Sequence, residues 1–172
     1  MLVNANWLKK NIKKKNIKII DSSWYLPNSG RNAFEEYKKK HIPEAVFFDI
    51  DKISDKKTKL PHMMPNFKFF EKEINKLGIK NSDTIVVYCQ EGILSSPRVW
   101  WTFLYFGHKN IFVLNGGLNA WKRVGGKIVS GNYKPRLSNY KCHKINKNLI
   151  IKYKNLTKLV KDKHNNYLIL DA

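Results

Sequence analysis

Cys89 is the residue whose setting most invites chemistry. It directly follows the apolar run Thr84-Ile85-Val86-Val87-Tyr88 and precedes a short loop, Gln90 to Ser95, which leads into Ser96-Pro97. A thiol between the end of a buried strand and the start of a helix meets backbone N–H groups and the positive end of the helix dipole. Both stabilise a thiolate, the form in which cysteine acts as a nucleophile. A free cysteine at a strand end is as readily a small buried hydrophobe, and position alone does not separate the two readings. Glu91 opposes the first, because a carboxylate in an anion-binding loop repels negative charge. Spacing excludes one rival: a cysteine phosphatase needs an arginine six positions after its cysteine to clamp the phosphate. Position 95 is Ser, and Arg98 falls within the following helical segment. Cys142 has no motif around it and is expected to be incidental.

The chain has 172 residues, 42% of them hydrophobic, with five Trp, eight Tyr and nine Phe. That is material for a single core of ordinary size and too much for a disordered chain. No stretch approaches the roughly 20 apolar residues of a membrane span. Met1 to Trp7 lacks the charged start and apolar run of a secretory signal, so the cytoplasm is the expected location. Two cysteines are too few for a disulfide framework. The net charge of +20 invites a nucleic-acid reading, but only four of the 33 basic residues are arginines: Arg31, Arg98, Arg123 and Arg136. Base-edge and bidentate phosphate contacts favour arginine, and the lysines are spread over the whole chain rather than clustered. A diffuse field that attracts small anions fits better than a nucleic-acid partner.

The elements that must position Cys89 alternate regularly. Ile17 to Asp21 reads as a strand, followed by a loop with Pro27 and Gly30; Phe34 to Lys40 reads as a short helix and Ala45 to Asp49 as a second strand. Asn66 caps a helix expected to bury Phe67, Phe70, Ile74 and Leu77 and to stop at Gly78. Thr84 to Tyr88 is a buried parallel strand. Ser96 to Phe106 is a helix with Pro97 in its first turn, Ile111 to Leu114 a strand, and Leu118 to Arg123 a last short helix after Asn115-Gly116-Gly117. Strands alternating with helices through short links predict an α/β fold on a mostly parallel sheet. Residues 1–130 form this unit, and 131–147 read as a polar linker. Residues 148–172 offer a helix and then an apolar run, Tyr167 to Asp171, that echoes Ile17 to Asp21. The last stretch is expected to open a second, incomplete unit.

Several segments in fixed order carry a family resemblance: Asp21 to Pro27, Gly30 to Ala33, His41 to Asp51, Leu60 to Pro65, Ser96 to Trp101 and Leu114 to Trp121. Together they resemble the first domain of the two-domain rhodanese-family sulfurtransferases, the mercaptopyruvate type more than the thiosulfate type. The closing Leu170-Asp171-Ala172 is similar to the start of that family's second domain. The chain departs from the pattern at Lys40 and Glu44, where the family usually has Gly, and at Cys89, where the first-domain loop normally begins with Asp.

The resemblance implies a rhodanese-like fold and transfer of sulfane sulfur from a small anionic donor, 3-mercaptopyruvate or thiosulfate, through a cysteine persulfide to a thiol or cyanide. It implies no cofactor and no metal. It also assigns the working cysteine to the second domain and leaves the first to supply an Asp and a His, which match Asp51 and His62 and resemble the Asp–His pair of a serine-protease triad. Apart from the resemblance, His62 beside Pro61 and two methionines reads as a partly buried structural histidine. Cys89 becomes a candidate substitute nucleophile, since Cys-Gln-Glu-Gly has the Cys-x-x-Gly opening of catalytic rhodanese loops. The alternative is a catalytically inactive rhodanese-like module with a structural or binding role. Self-association through an uncovered domain interface is a further expectation.

Overall fold

Five strands form one parallel sheet in the computed structural model, which describes residues 1–162 and 166–170. Its centre is where the sequence is most continuously apolar. Strand β4 (Thr84–Tyr88) lies between β2 (Ile17–Asp21) and β5 (Ile111–Leu114). The edges are short: β1 (Leu2–Val3) outside β5 and β3 (Val46–Phe47) outside β2, giving the order β1-β5-β4-β2-β3. The register pairs Ile20 with Val87 and Val46, and Asp21 with Tyr88 and Phe47, so three strands end together. The strand expected over 45–49 shrinks to two residues, and β1 was not anticipated. Two apolar residues carry no readable period.

Both sheet faces are covered, which is why β4 needs no polar alternation. One face packs Ile20, Ile85, Val87 and Ile111 against α3 (Phe67–Lys76) and α4 (Ser96–Tyr105). The other packs Ile17, Ile19, Val86, Tyr88 and Leu114 against α1 (Ala5–Asn11), α2 (Ala33–Lys39) and α5 (Gly117–Arg123). Asparagine begins three of these helices: Asn4, Asn32 and Asn66 accept from the backbone N–H of Trp7, Glu35 and Phe69. Phe67, expected on the buried side of α3, is 43% exposed at the helix start, whereas Phe70 and Ile74 are fully buried.

The polar span read as a linker is packed as a strap. Asn75 receives the Tyr140 N–H and donates to its carbonyl, Ser138 Oγ donates to the Ile79 carbonyl, and the Tyr140 ring is buried beside Phe70 and His108. Helix α6 (Tyr153–Lys161) follows with no buried residue. The described part of the expected strand, residues 167–170, forms no strand and is exposed. Asp171 and Ala172, which close the family-like Leu170-Asp171-Ala172, lie outside the described residues.

Candidate active site

The common end of β2, β3 and β4 is braced by a buried polar network. Asp21 Oδ1 accepts from the Ser23 backbone N–H at 2.9 Å and from Ser23 Oγ at 2.6 Å, and Oδ2 accepts from Gln90 Nε2 at 3.0 Å. The Gln90 N–H in turn donates to Ser23 Oγ. Burial pushes the Asp21 carboxyl above the usual carboxylate range, against the lowering effect of these bonds. The network ties the exit of β2, which leads to Trp24, to the exit of β4, which leads to Cys89.

Asp51 and His62, 11 residues apart, meet beside Trp24. His62 Nε2 lies 2.6 Å from Asp51 Oδ1, and the Trp24 indole N–H lies 3.2 Å from Oδ1 and 3.0 Å from Oδ2. The Trp24 and His62 rings meet edge to face at 5.0 Å. With Nε2 on the carboxylate, the neutral imidazole keeps its proton there and presents the Nδ1 lone pair. His62 sits at φ 55°, an uncommon left-handed conformation for a non-glycine residue, and the Arg98 guanidinium donates to its carbonyl. Arg98 extends from α4 beside the Trp101 ring, and burial lowers its pKa from the ordinary guanidinium value.

Two concavities open here. One of about 340 Å³ is lined by Trp24, Tyr25, Leu26, Arg31, Asp49 and Asp51 among others. The second, about 260 Å³, is lined by Asp51, Ser54, Lys56, Lys59, Leu60 and His62 among others. The loop around them is held at Asp51, whose carbonyl accepts from Ser54 Oγ and Lys56 Nζ, both at 2.6 Å.

Cys89 occupies a different setting. Its side chain lines a cleft of only about 80 Å³ with Trp24, Arg31, Glu91 and Leu94, and the residue is 3% exposed. The expectation was a sulfur at the mouth of a ring of N–H donors. Instead Sγ lies 3.0 Å from the Glu91 carbonyl, to which the thiol donates. The loop folds its own acceptor inward, and the thiol hydrogen is spent on a backbone carbonyl. Glu91 is fastened from outside: Arg31 pairs with its carboxylate at 3.1 Å, binds Glu36 at 2.6 Å and lies 3.7 Å above the Tyr25 ring. From below, Leu118 N–H donates to the Cys89 carbonyl. Gly117, at φ 55°, passes so close that a Cβ would come within 2.4 Å of that oxygen and 2.6 Å of the Gly92 carbonyl.

Asp51 and His62 are thus brought together, and Cys89 lies in a neighbouring cleft that shares Trp24 with theirs. Cys142 sits on the strap, where burial and the nearby Glu71 carboxylate push its thiol up to about 12. Trp24, Arg31 and Arg98 were not singled out from sequence for the contacts they make. The only signal was that each lies in a recognisable segment. Among the described residues no group of three or more His, Cys, Asp or Glu could hold a metal ion.

Comparison with known proteins bears on this arrangement directly. Residues 4–124 match the rhodanese-like domain family. The chain belongs to the rhodanese family. Its relatives include the mitochondrial thiosulfate/3-mercaptopyruvate sulfurtransferase 1 of Arabidopsis thaliana, 47% identical over 129 residues that cover 75% of this chain and 34% of the relative. Human 3-mercaptopyruvate sulfurtransferase is 36% identical over 147 residues, covering 82% of this chain and 50% of the relative. Among solved structures, the 3-mercaptopyruvate sulfotransferase SseA from Escherichia coli superposes with a TM-score of 0.86 at 32% identity, over 91% of this chain and 60% of that one. The rhodanese chain therefore spans about a third to a half of the curated relatives named here. None of its described helices is long and apolar enough to cross a membrane.

Proposed function

We propose that this rhodanese chain serves sulfur transfer from a small anionic donor, 3-mercaptopyruvate or thiosulfate, to a thiol or cyanide, and that its own contribution is the Asp51–His62 pair. The 2.6 Å contact between them, set between two open concavities at the strand ends, is the observation that carries the reading. Ligands of open α/β sheets sit at that end.

The chemistry needs such a pair. A cysteine thiolate attacks the sulfur of mercaptopyruvate, the carbon–sulfur bond breaks, and its electrons remain on carbon as the enolate of pyruvate. A proton delivered to that carbon completes pyruvate and leaves a persulfide on the cysteine. Cyanide then takes the outer sulfur as thiocyanate and regenerates the thiolate. With thiosulfate the leaving group is sulfite, which needs no proton. The Nδ1 lone pair of His62 can take the proton of the attacking thiol and return it to the enolate carbon, so an imidazole steered by a carboxylate suits both transfers.

Cys89 is one candidate carrier of the persulfide. The resemblance assigns that role instead to a second domain, and the exposed Leu26, Leu60 and Leu94 form an apolar rim around the site that such a domain would cover. The same rim would support self-association of the present chain. A non-catalytic module is the second reading, favoured by the burial of Cys89 and the donation of its thiol to a carbonyl. Cytoplasmic residence goes with either, although the Arabidopsis relative is described as mitochondrial; fractionation of the native protein separates the two locations.

The deciding measurement incubates the chain with mercaptopyruvate or thiosulfate and seeks one added sulfur on Cys89 by mass spectrometry and thiocyanate once cyanide is supplied. Persulfide on Cys89, lost in Cys89→Ser and kept in Cys142→Ser, supports catalysis by this chain alone. Turnover with mercaptopyruvate that falls in His62→Ala supports the Asp51–His62 role. A chain that forms neither product does not itself carry the persulfide, and the non-catalytic reading then holds if a version extended by a second domain also shows turnover that is unchanged in His62→Ala.

A further inference from the structure

Asp51 is poorly placed to hold a histidine by itself. Its side chain is 66% exposed, against 28% for His62. Exposed pairs of this kind contribute little, because water competes for both partners. The second contact on the carboxylate changes this. The indole N–H of Trp24 reaches both oxygens, at 3.2 and 3.0 Å, and Trp24 is itself half-buried against the core cluster containing Ile50 and Ile53. An indole N–H can only donate, so it keeps the carboxylate in the acceptor role that His62 Nε2–H also requires. The same ring lies edge-on to His62, limiting the imidazole from a second direction.

Resting on the Asp51–His62 reading above, we infer that Trp24 is the positioning residue of that pair: it anchors the Asp51 carboxylate to the core and thereby sets the orientation and tautomer of His62. Trp24 needs no contact with substrate for this. It acts through Asp51, and the part that matters is one N–H rather than the bulk of the ring. Trp24 also lines the Cys89 cleft and the larger concavity, so its placement sets the wall between the two.

The test uses the whole chain and reads solvent exchange of the His62 ring N–H and the Trp24 indole N–H by NMR. Trp24→Phe keeps an aromatic edge against His62 and removes the donor. It should speed His62 ring N–H exchange by about twofold to fivefold, less than Asp51→Ala, which removes the hydrogen bond of His62 itself, with the backbone amide spectrum otherwise retained. Trp100→Phe is the control, since it loses an indole bond of 3.1 Å to the Ile111 carbonyl away from the site; it should leave His62 unchanged. Asp51→Ala should speed exchange at both rings, and its effect on the indole is readable even if Trp24→Phe does not fold. Unchanged His62 exchange in Trp24→Phe, together with faster exchange in Asp51→Ala, would overturn the role of Trp24 and leave the pair standing. An unchanged indole in Asp51→Ala overturns it equally. If Asp51→Ala leaves His62 unchanged, the pair does not form in solution and the underlying reading fails.

Discussion

Two corners of one sheet end were open to the same reading from sequence, and they are built in opposite ways. At the Cys89 corner the sulfur is turned inward and covered. The thiol donates to a carbonyl, Arg31 and Glu91 close the outside, and Gly117 presses from below. At the Asp51 corner the carboxylate is largely in solvent, yet it faces two donors and two open concavities. The difference teaches that a nucleophile's place after a strand does not fix which groups surround its sulfur. Whether donors or acceptors converge there decides its chemistry.

The sharpest contrast should appear in stability. Gly117→Ala puts a Cβ at 2.4 Å from the Cys89 carbonyl in a left-handed backbone, so a loss of about 3 kcal/mol or more is expected, or roughly 6–12 °C in melting temperature for a chain of this size. A melting temperature within a degree or two of the parent would mean the closed corner is looser than its contacts suggest.

The brace shared by both corners should reveal itself through pH. Burial holds the Asp21 carboxyl above its ordinary range, so folding favours the protonated form. That contribution is fully present below the unfolded value of about 3.9 and is lost as pH rises through the raised value. Denaturant titrations of Asp21→Asn and parent, run side by side from pH 4 upward, should therefore show the parent losing ground to the variant as pH rises. A constant gap would mean Asp21 is not desolvated in solution.

A smaller effect should come from the turn leading to Asp51. Glu44, where the family usually has Gly, holds φ 61° without glycine's freedom. Glu44→Gly should stabilise by about 0.5–1 kcal/mol, because the relieved left-handed strain exceeds the added chain entropy. Destabilisation in chemical denaturation would show that the Glu44 side chain contributes more than its backbone costs.

The smallest change belongs to the open corner. Asp51→Ala should alter stability by no more than about 0.5–1 kcal/mol, as exposed pairs do, while changing His62 clearly by NMR. A large loss on unfolding would make Asp51 a structural residue and blur the contrast between the corners.

Much of this was legible beforehand. The run Thr84 to Tyr88 lies at the sheet centre, Asn66 caps α3 as expected, and Ser96-Pro97 opens α4. The strap was not legible: Tyr140 sits in a polar stretch with no period, and its burial depends on Asn75, 65 residues away. The strand expected over 167–171 is not formed over its described residues 167–170, because an apolar run reports a tendency to leave water and not the pairing that makes a strand.

The amino-acid order by itself therefore determined the alternating α/β layers, the turns and the family, because local periodicity and short motifs record which faces must leave water. Tertiary structure alone decided that the Trp24 indole N–H joins the Asp51–His62 pair that the resemblance implied, while the Cys89 thiol turns to a carbonyl. Hydrogen-bond direction between distant segments depends on how the chain closes in space, and no local pattern encodes that geometry.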